Sequence, residues 1–132
     1  MYQYHVEIQK VIDGDTYDID VDLGMATWIR GEHIRLYGVD TPEVYGVKKD
    51  SEEYQKGMAA SNFAKSFIKK GTLGIVETIK DEKGKYGRYL AVLYVQVPEE
   101  VVAGLDNIRM VGNFYCINDI LIAKGLARPY FL

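Results

Sequence analysis

The chain has 132 residues, which corresponds to about one domain, since domains commonly contain roughly 100–200 residues. Hydrophobic residues make up 48% of the chain and charged residues 27%, a balance that is typical of a globular protein and excludes a disordered tail. Sixteen Lys and Arg residues against nineteen Asp and Glu residues give a net charge of -3, so no basic surplus marks a polyanion binder. We expect a single domain over residues 1–132.

The N-terminal sequence lacks the charged start and apolar stretch of a secretory signal, and no apolar run is long enough to cross a membrane. We therefore expect a cytoplasmic protein with no membrane partner and no obligate protein partner. Its oligomeric state and an origin in a phage or mobile element stay open. One cysteine, Cys116, cannot form an internal disulfide, and two histidines are too few for a zinc cluster. Any bound metal must then have oxygen ligands.

The first part of the chain is typical of β-strands. Apolar and polar residues alternate over residues 4–8 and again over residues 17–23. A third strand is predicted over about residues 28–37. Between the first two strands lies Asp13-Gly14-Asp15, and the central glycine predicts a tight turn with a positive φ.

A helix is predicted between about residues 50 and 71, where an Asp50 capping pattern precedes apolar residues at i, i+4 spacing. Two strands are predicted near residues 73–80 and 88–97, followed by a short helix over about residues 118–124. This order indicates a mainly β, α+β fold, a five-stranded OB-type Greek-key barrel with two helices, in which closure removes exposed sheet edges. A plain α+β sandwich is the alternative.

Acidic residues stand at the joints between these elements. Asp15, Asp40 and Glu43 are hard oxygen donors, which suit Ca²⁺ or Mg²⁺ rather than zinc. Pro42 biases Thr41 toward an extended conformation that can turn the Thr41 carbonyl toward the same point as the Asp40 carboxylate. Each of these segments by itself is more typical of an ordinary turn.

Two arginines lie near the same joints. Arg35 stands inside an apolar strand, and Arg88 follows Gly87 at the start of the last long strand. Either side chain alone could simply extend to solvent. Together with a carboxylate-held metal, two guanidinium groups form a site for a phosphodiester, because they neutralise its non-bridging oxygens. A nearby glutamate can then take the proton from an attacking water.

Three stretches resemble the signature segments of the staphylococcal nuclease family: Val11-Ile12-Asp13-Gly14-Asp15-Thr16, Arg35-Leu36-Tyr37-Gly38-Val39-Asp40-Thr41-Pro42-Glu43 and Lys85-Tyr86-Gly87-Arg88. The resemblance covers residues 4–96 and 112–128. It implies an OB-type barrel, Ca²⁺ as cofactor, and an endonuclease that hydrolyses DNA, and also RNA, with little sequence specificity and leaves 3′-phosphate ends.

The resemblance also implies roles for individual residues. The family's calcium ligands match two carboxylates and one backbone carbonyl: Asp15, Asp40 and Thr41. Its catalytic residues, two phosphate-binding arginines and a glutamate proposed to act through a water as general base, match three further positions: Arg35, Arg88 and Glu43. Its contacts to the terminal phosphate of the nucleotide match Lys85 and Tyr86.

The sequence departs from the family pattern at three points. We expect the fold to lack the family's C-terminal third helix, with Tyr130 or Phe131 replacing part of its stacking platform. Residues 101–114 look like an insertion, which we interpret as a hairpin over the surface or as a dimer contact. The acidic balance predicts weaker nonspecific attraction to polyanions, because fewer cations release fewer counterions.

We therefore expect a calcium-dependent nuclease. A noncatalytic OB-type module that binds nucleic acid or protein is the alternative, but it predicts lost metal ligands, and none is missing. A domain in which calcium is only structural is a second alternative, and it leaves Arg35 and Arg88 unexplained.

Overall fold

The computed structural model of the chain describes residues 2–80, 83–84 and 87–130. Its strands are β1 (Tyr2–Asp13), β2 (Thr16–Asp22), β3 (Trp28–Leu36), β4 (Val39–Asp40), β5 (Thr72–Thr78), β6 (Tyr89–Val95), β7 (Met110–Val111), β8 (Phe114–Cys116) and β9 (Arg128–Pro129). Its helices are α1 (Glu52–Phe67), α2 (Glu99–Val102) and α3 (Ile117–Ala123). Lys85, Tyr86 and Phe131 lie outside the described residues.

The five long strands close into a barrel. β1 pairs antiparallel with β2 on one side and with β5 on the other, and the sheet continues from β2 to β3 and from β5 to β6. A parallel pairing of β3 with β6, in which Ile34 lies opposite Tyr89 and Leu36 opposite Ala91, joins the two ends. This closure gives the strand edges of the barrel their partners and confirms the predicted OB-type α+β fold.

The inside of the barrel is filled by alternate strand residues. Ile8, Tyr17, Ile34, Leu36 and Leu93 are all fully buried, as the period of two along each strand requires. Helices α1 and α3 pack into this core through buried apolar side chains: Ala64 from α1, and Ile117, Ile120 and Leu121 from α3.

Helix α1 begins later than the sequence pattern suggested. Its N-cap is Ser51, whose hydroxyl accepts a hydrogen bond of 3.2 Å from the backbone N–H of Tyr54. The prediction that Asp50 caps the helix is therefore wrong by one residue. A serine hydroxyl and an aspartate carboxylate accept hydrogen bonds from the same exposed N–H groups. The sequence therefore offers Asp50 and Ser51 as equally suitable N-cap residues. The helix ends at Phe67, before the predicted stop at Gly71.

The connection after β6 has structure of its own. The one-turn helix α2 was not predicted, because four residues show too little periodicity. Strands β7 and β8 form a hairpin that joins the free edge of β6, while Val101, Val102, Leu105 and Ile108 pack against the core. Of the two interpretations of residues 101–114, this packing supports the hairpin that covers the surface.

Candidate active site

Strand pairing brings Arg35 to Asp15. Thr16, which follows Asp15, lies opposite Arg35 in the β2–β3 register, and the N–H of Leu36 donates a 2.9 Å hydrogen bond to the Asp15 carbonyl. The Arg35 Nη2 atom is then 3.5 Å from Asp15 Oδ2. Asp15 is buried, with a relative exposure of 8%, so its carboxylate faces a guanidinium instead of water.

The turn between β3 and β4 brings Asp40 close to the same arginine. Gly38 has a φ of 74°, a conformation that favours glycine, and it lies in the turn between β3 and β4. The Asp40 Oδ1 atom then lies 3.3 Å from the same Nη2 atom of Arg35. One guanidinium nitrogen therefore bridges two carboxylates that are 25 residues apart, from Asp15 to Asp40.

The Asp13–Asp15 turn packs against the Asp40–Glu43 segment. The backbone N–H of Thr41 donates a hydrogen bond of 3.2 Å to Asp15 Oδ2. Gly14 does not have the predicted positive φ. Glycine is needed there for space, because a Cβ would lie 2.8 Å from Thr41 Cγ2 and 2.9 Å from Ala60 Cβ. The buried hydroxyl of Tyr17 holds the turn by donating to the Gly14 carbonyl.

Asp13 is the second acidic residue of this turn. It accepts a 3.2 Å hydrogen bond from the backbone N–H of Asp15. Burial, together with the side chain of Asp15 as hydrogen-bond partner and negative charge, raises the pKa of Asp13 to about 7. The two carboxyl groups of this turn therefore disfavour each other's charge, and a cation bound beside Asp15 would relieve that repulsion.

Arg88 lies on the other side of Asp15. The parallel β3–β6 pairing places the start of β6 beside β3, and Arg88 Nη1 donates to Thr16 Oγ1 at 3.4 Å. The Thr16 hydroxyl in turn donates to Asp15 Oδ1 at 3.3 Å. The structure thus brings Arg35, Arg88 and Asp40 together around the carboxylate of Asp15.

Glu43 lies apart from this group. Its side chain is exposed on the wall of a cleft of ≈ 630 Å³, which is lined by residues 40–43, the first turns of α1 and residues 125–128. Its backbone N–H donates to Glu53 Oε1 at 3.4 Å. Within the described part of the chain, the Glu43 carboxylate makes no ion pair with Arg35 or Arg88.

The donor set at this site fits a hard cation. In residues 2–80, 83–84 and 87–130, no group of three or more His, Cys, Asp and Glu side chains is arranged to hold a metal. The two carboxylates of Asp15 and Asp40 nevertheless converge on one point, which a positive nitrogen already fills. Calcium accepts carboxylate, carbonyl and water oxygens in flexible geometry, so these residues fit calcium if the Thr41 carbonyl and water complete the ligands.

Two residues were not predicted from the sequence: Arg128, which contacts the site, and Asn118, which holds the strands beside it. Arg128 donates from Nε and Nη2 to Asp40 Oδ2 at 3.1 and 3.0 Å, a contact that no local pattern near the chain end signals. Asn118 is buried, donates from Nδ2 to the carbonyls of Tyr37 and Ala91, and accepts from the N–H of Leu93. The signal for Asn118 is a polar residue inside the apolar run of α3.

Comparison with known proteins identifies the family. A family model described as staphylococcal nuclease homologue matches residues 33–132, and the chain belongs to this family. The chain is 40% identical to the thermonuclease of Staphylococcus intermedius over 124 residues. This alignment covers 94% of this chain and 58% of that protein. This membership confirms the resemblance found in the sequence.

Two further relatives are similar over most of the chain. An uncharacterized protein of Methanocaldococcus jannaschii is 32% identical over 142 residues, covering 96% of this chain and 59% of that protein. Endonuclease YhcR of Bacillus subtilis is 29% identical over 116 residues, covering 86% of this chain and 9% of that protein. The chain therefore spans less than two thirds of the length of each relative.

None of the helices in the described part of the chain has the length and apolar character needed to cross a bilayer.

Proposed function

We propose that residues 1–132 form one calcium-dependent nuclease domain that hydrolyses phosphodiester bonds of DNA and RNA, with little sequence specificity and with 3′-phosphate products. The observation that carries this proposal is the position of Arg35, whose Nη2 lies within 3.5 Å of both Asp15 and Asp40. A guanidinium next to convergent hard oxygen donors can stabilise the charge that develops during phosphodiester hydrolysis. Among the relatives, one is named a thermonuclease and another an endonuclease.

The arginines have the anion-binding role in this proposal. Arg35 is paired with carboxylates and Arg88 with the Thr16 hydroxyl. A phosphodiester oxygen competes for the same N–H donors, and a planar guanidinium binds such oxygens in bidentate fashion. As water attacks the phosphorus, negative charge grows on the non-bridging oxygens, and the two guanidinium groups stabilise it.

Calcium would be held by the carboxylates of Asp15 and Asp40 and the carbonyl of Thr41. When bound, it supplies positive charge that polarises the phosphate and offsets the charge of the transition state. The hydrogen bond from Thr41 N–H to Asp15 keeps these two segments in register for that role. Bonding of Asp15 and Asp40 to a single nitrogen supports a shared cation position.

Glu43 is the proposed general base, acting through a water molecule. Its exposed side chain lies on the wall of the same cleft as Asp40, which is accessible to substrate and water. Lys85 and Tyr86 are proposed to contact the terminal phosphate of the nucleotide. In the sequence they directly precede Gly87 and Arg88, and β6 begins at the next residue, Tyr89.

The proposal is tested by digesting single-stranded DNA with the purified chain in Ca²⁺ or in EDTA. We expect cleavage only with Ca²⁺, and a loss of about 10²- to 10³-fold in Arg35→Ala, the usual cost of removing a transition-state donor. Arg30→Ala is the matched control, because Arg30 lies on the same strand but pairs with Asp20 away from the site.

Two results would count against this assignment. Equal cleavage by wild type and Arg35→Ala would place the chemistry elsewhere. DNA binding without cleavage by the folded wild type in Ca²⁺ would favour the noncatalytic OB-type module.

A further inference from the structure

A third arginine reaches the site from the end of the described chain. Strand β9 pairs antiparallel with β4, so that Arg128 lies opposite Asp40, and the N–H of Tyr130 extends this pairing by donating to the Gly38 carbonyl at 2.9 Å. The Arg128 side chain then donates from both Nε and Nη2 to Asp40 Oδ2, at 3.1 and 3.0 Å. The backbone pairing therefore fixes where this guanidinium is delivered.

Asp40 is shared between two arginines with different surroundings. Its Oδ1 atom faces Arg35, whose side chain is 20% exposed, and its Oδ2 atom faces Arg128, whose side chain is 76% exposed. A largely exposed guanidinium regains its hydration when it leaves a partner, so such an ion pair is weak. Arg35 is accordingly held in place, and Arg128 is the partner that Asp40 can exchange.

The charges around Asp40 are balanced by protein groups. Two carboxylates, Asp15 and Asp40, face two guanidinium groups, Arg35 and Arg128. A divalent cation bound by Asp40 would add two positive charges beside both arginines and would use the carboxylate that Arg128 occupies. The exposed Arg128 side chain is the one that can move away from this repulsion between like charges, since the cleft beside it is open to solvent and water replaces its lost partner.

We propose that Arg128 is a positioning residue that competes with the divalent cation for Asp40 and leaves this carboxylate when the cation binds. It acts through Asp40 and keeps the carboxylate charge-balanced until then, at the expense of cation affinity. This inference rests on the calcium site of the proposed function. The pairing of β4 with β9 thereby controls how tightly Asp40 binds the cation, a role that none of the predicted site residues has.

The test is titration of the wild-type chain and of Arg128→Ala with Ca²⁺ by isothermal calorimetry, without nucleic acid. We expect Arg128→Ala to bind Ca²⁺ about 2- to 10-fold more tightly, the range set by one exposed ion pair and one removed repulsion. Arg30→Ala, which removes another largely exposed arginine from an ion pair with Asp20, should bind like wild type. Thermal unfolding of each variant verifies that it is folded.

The direction of the change separates this role from a merely structural one. If Arg128 only fixed the fold of the segment, its removal would loosen Asp40 and weaken calcium binding. Unchanged or weaker binding in Arg128→Ala would overturn the inference, and binding in neither protein would overturn the calcium site as well. Normal binding by wild type without DNA cleavage would instead remove the proposed function, while the affinity ratio still decides the role of Arg128.

Discussion

The backbone N–H of Thr41 donates a hydrogen bond of 3.2 Å to the Oδ2 atom of Asp15, across 26 residues of sequence. The same oxygen lies 3.5 Å from Arg35 Nη2. Two segments that each look like ordinary turns are thus joined through one buried carboxylate. The close approach of the turn to Thr41 depends on Gly14, whose missing side chain leaves room for Thr41 and for Ala60 of α1.

We expect Gly14→Ala to destabilise the fold by about 1–3 kcal/mol, as overpacking of a tight contact does. The new Cβ would stand 2.8 Å from Thr41 Cγ2, so the two segments must separate and calcium binding should weaken with stability. Urea unfolding and calcium titration of the same samples measure both effects.

The matched background for this experiment is Thr41→Ser, which removes Cγ2 and keeps the hydroxyl. Gly14→Ala should cost less in that background, because one of its two close neighbours is gone. An equal cost in both backgrounds would show that the contact with Thr41 is not what requires glycine.

Asn118 links α3 to the barrel beside the site. Its Nδ2 donates to the carbonyls of Tyr37 and Ala91 at 2.9 and 3.2 Å, and its Oδ1 accepts from Leu93 N–H at 3.0 Å. Asn118→Ala should cost about 2–4 kcal/mol, since buried backbone groups lose a partner that water does not replace. Urea unfolding measures this cost.

Asn62, an exposed residue of α1, provides the control for that substitution. Asn62→Ala should change the free energy of unfolding by less than about 0.5 kcal/mol. If both alanine variants unfold at the same urea concentration, the three hydrogen bonds of Asn118 do not stabilise the fold.

Asp119 and Arg109 give a pH dependence of stability. Burial raises the pKa of Asp119, but the hydrogen bonds and charge of Arg109 lower it by more, so the net pKa lies below its usual value. The stabilisation is complete above the unfolded pKa of about 3.9 and is lost as pH falls through the folded pKa. The stability difference between wild type and Asp119→Asn should therefore shrink as pH falls below about 4.

The background for that titration is Arg109→Gln, in which Asp119 loses its charged partner. In that background, the stability difference caused by Asp119→Asn should depend less on pH. A difference that stays constant from neutral to acid pH in the wild-type background would contradict the assigned ion pair.

Cys116 is fully buried at the junction of β8 and α3. Burial raises the pKa of its thiol to about 12, so the reactive thiolate is scarce at neutral pH. We expect a thiol reagent to label the native chain far more slowly than the chain in urea. Native labelling at the unfolded rate would mean that this junction opens readily.

The local patterns predicted the barrel because its strands alternate and its turns contain glycine. They failed at the start of α1, where Ser51 and Asp50 are both suitable N-cap residues, and at α2, which has a single turn. Gly14 was assigned to the right turn for the wrong reason, because a sequence shows that a residue is small but not what packs against it.

The candidate site was predictable only as a set of three segments. Arg35 and Asp15 meet through the β2–β3 register, which follows from strand pairing. The pairing of Arg128 with Asp40 joins residues 88 positions apart through strands of two residues each, and such short strands leave no periodicity in the sequence.

The most direct measurement is cleavage of a 5′-labelled single-stranded oligonucleotide by wild type, Asp15→Asn and Asp22→Asn in Ca²⁺, with analysis of the product ends. Asp22→Asn removes the same charge from β2 at an exposed turn, where Asp22 accepts a hydrogen bond from Gly24 N–H. We predict 3′-phosphate ends, wild-type rates for Asp22→Asn and a loss of about 10²-fold or more for Asp15→Asn. Wild-type cleavage by Asp15→Asn, or products with 3′-hydroxyl ends, would contradict the proposed chemistry at this site.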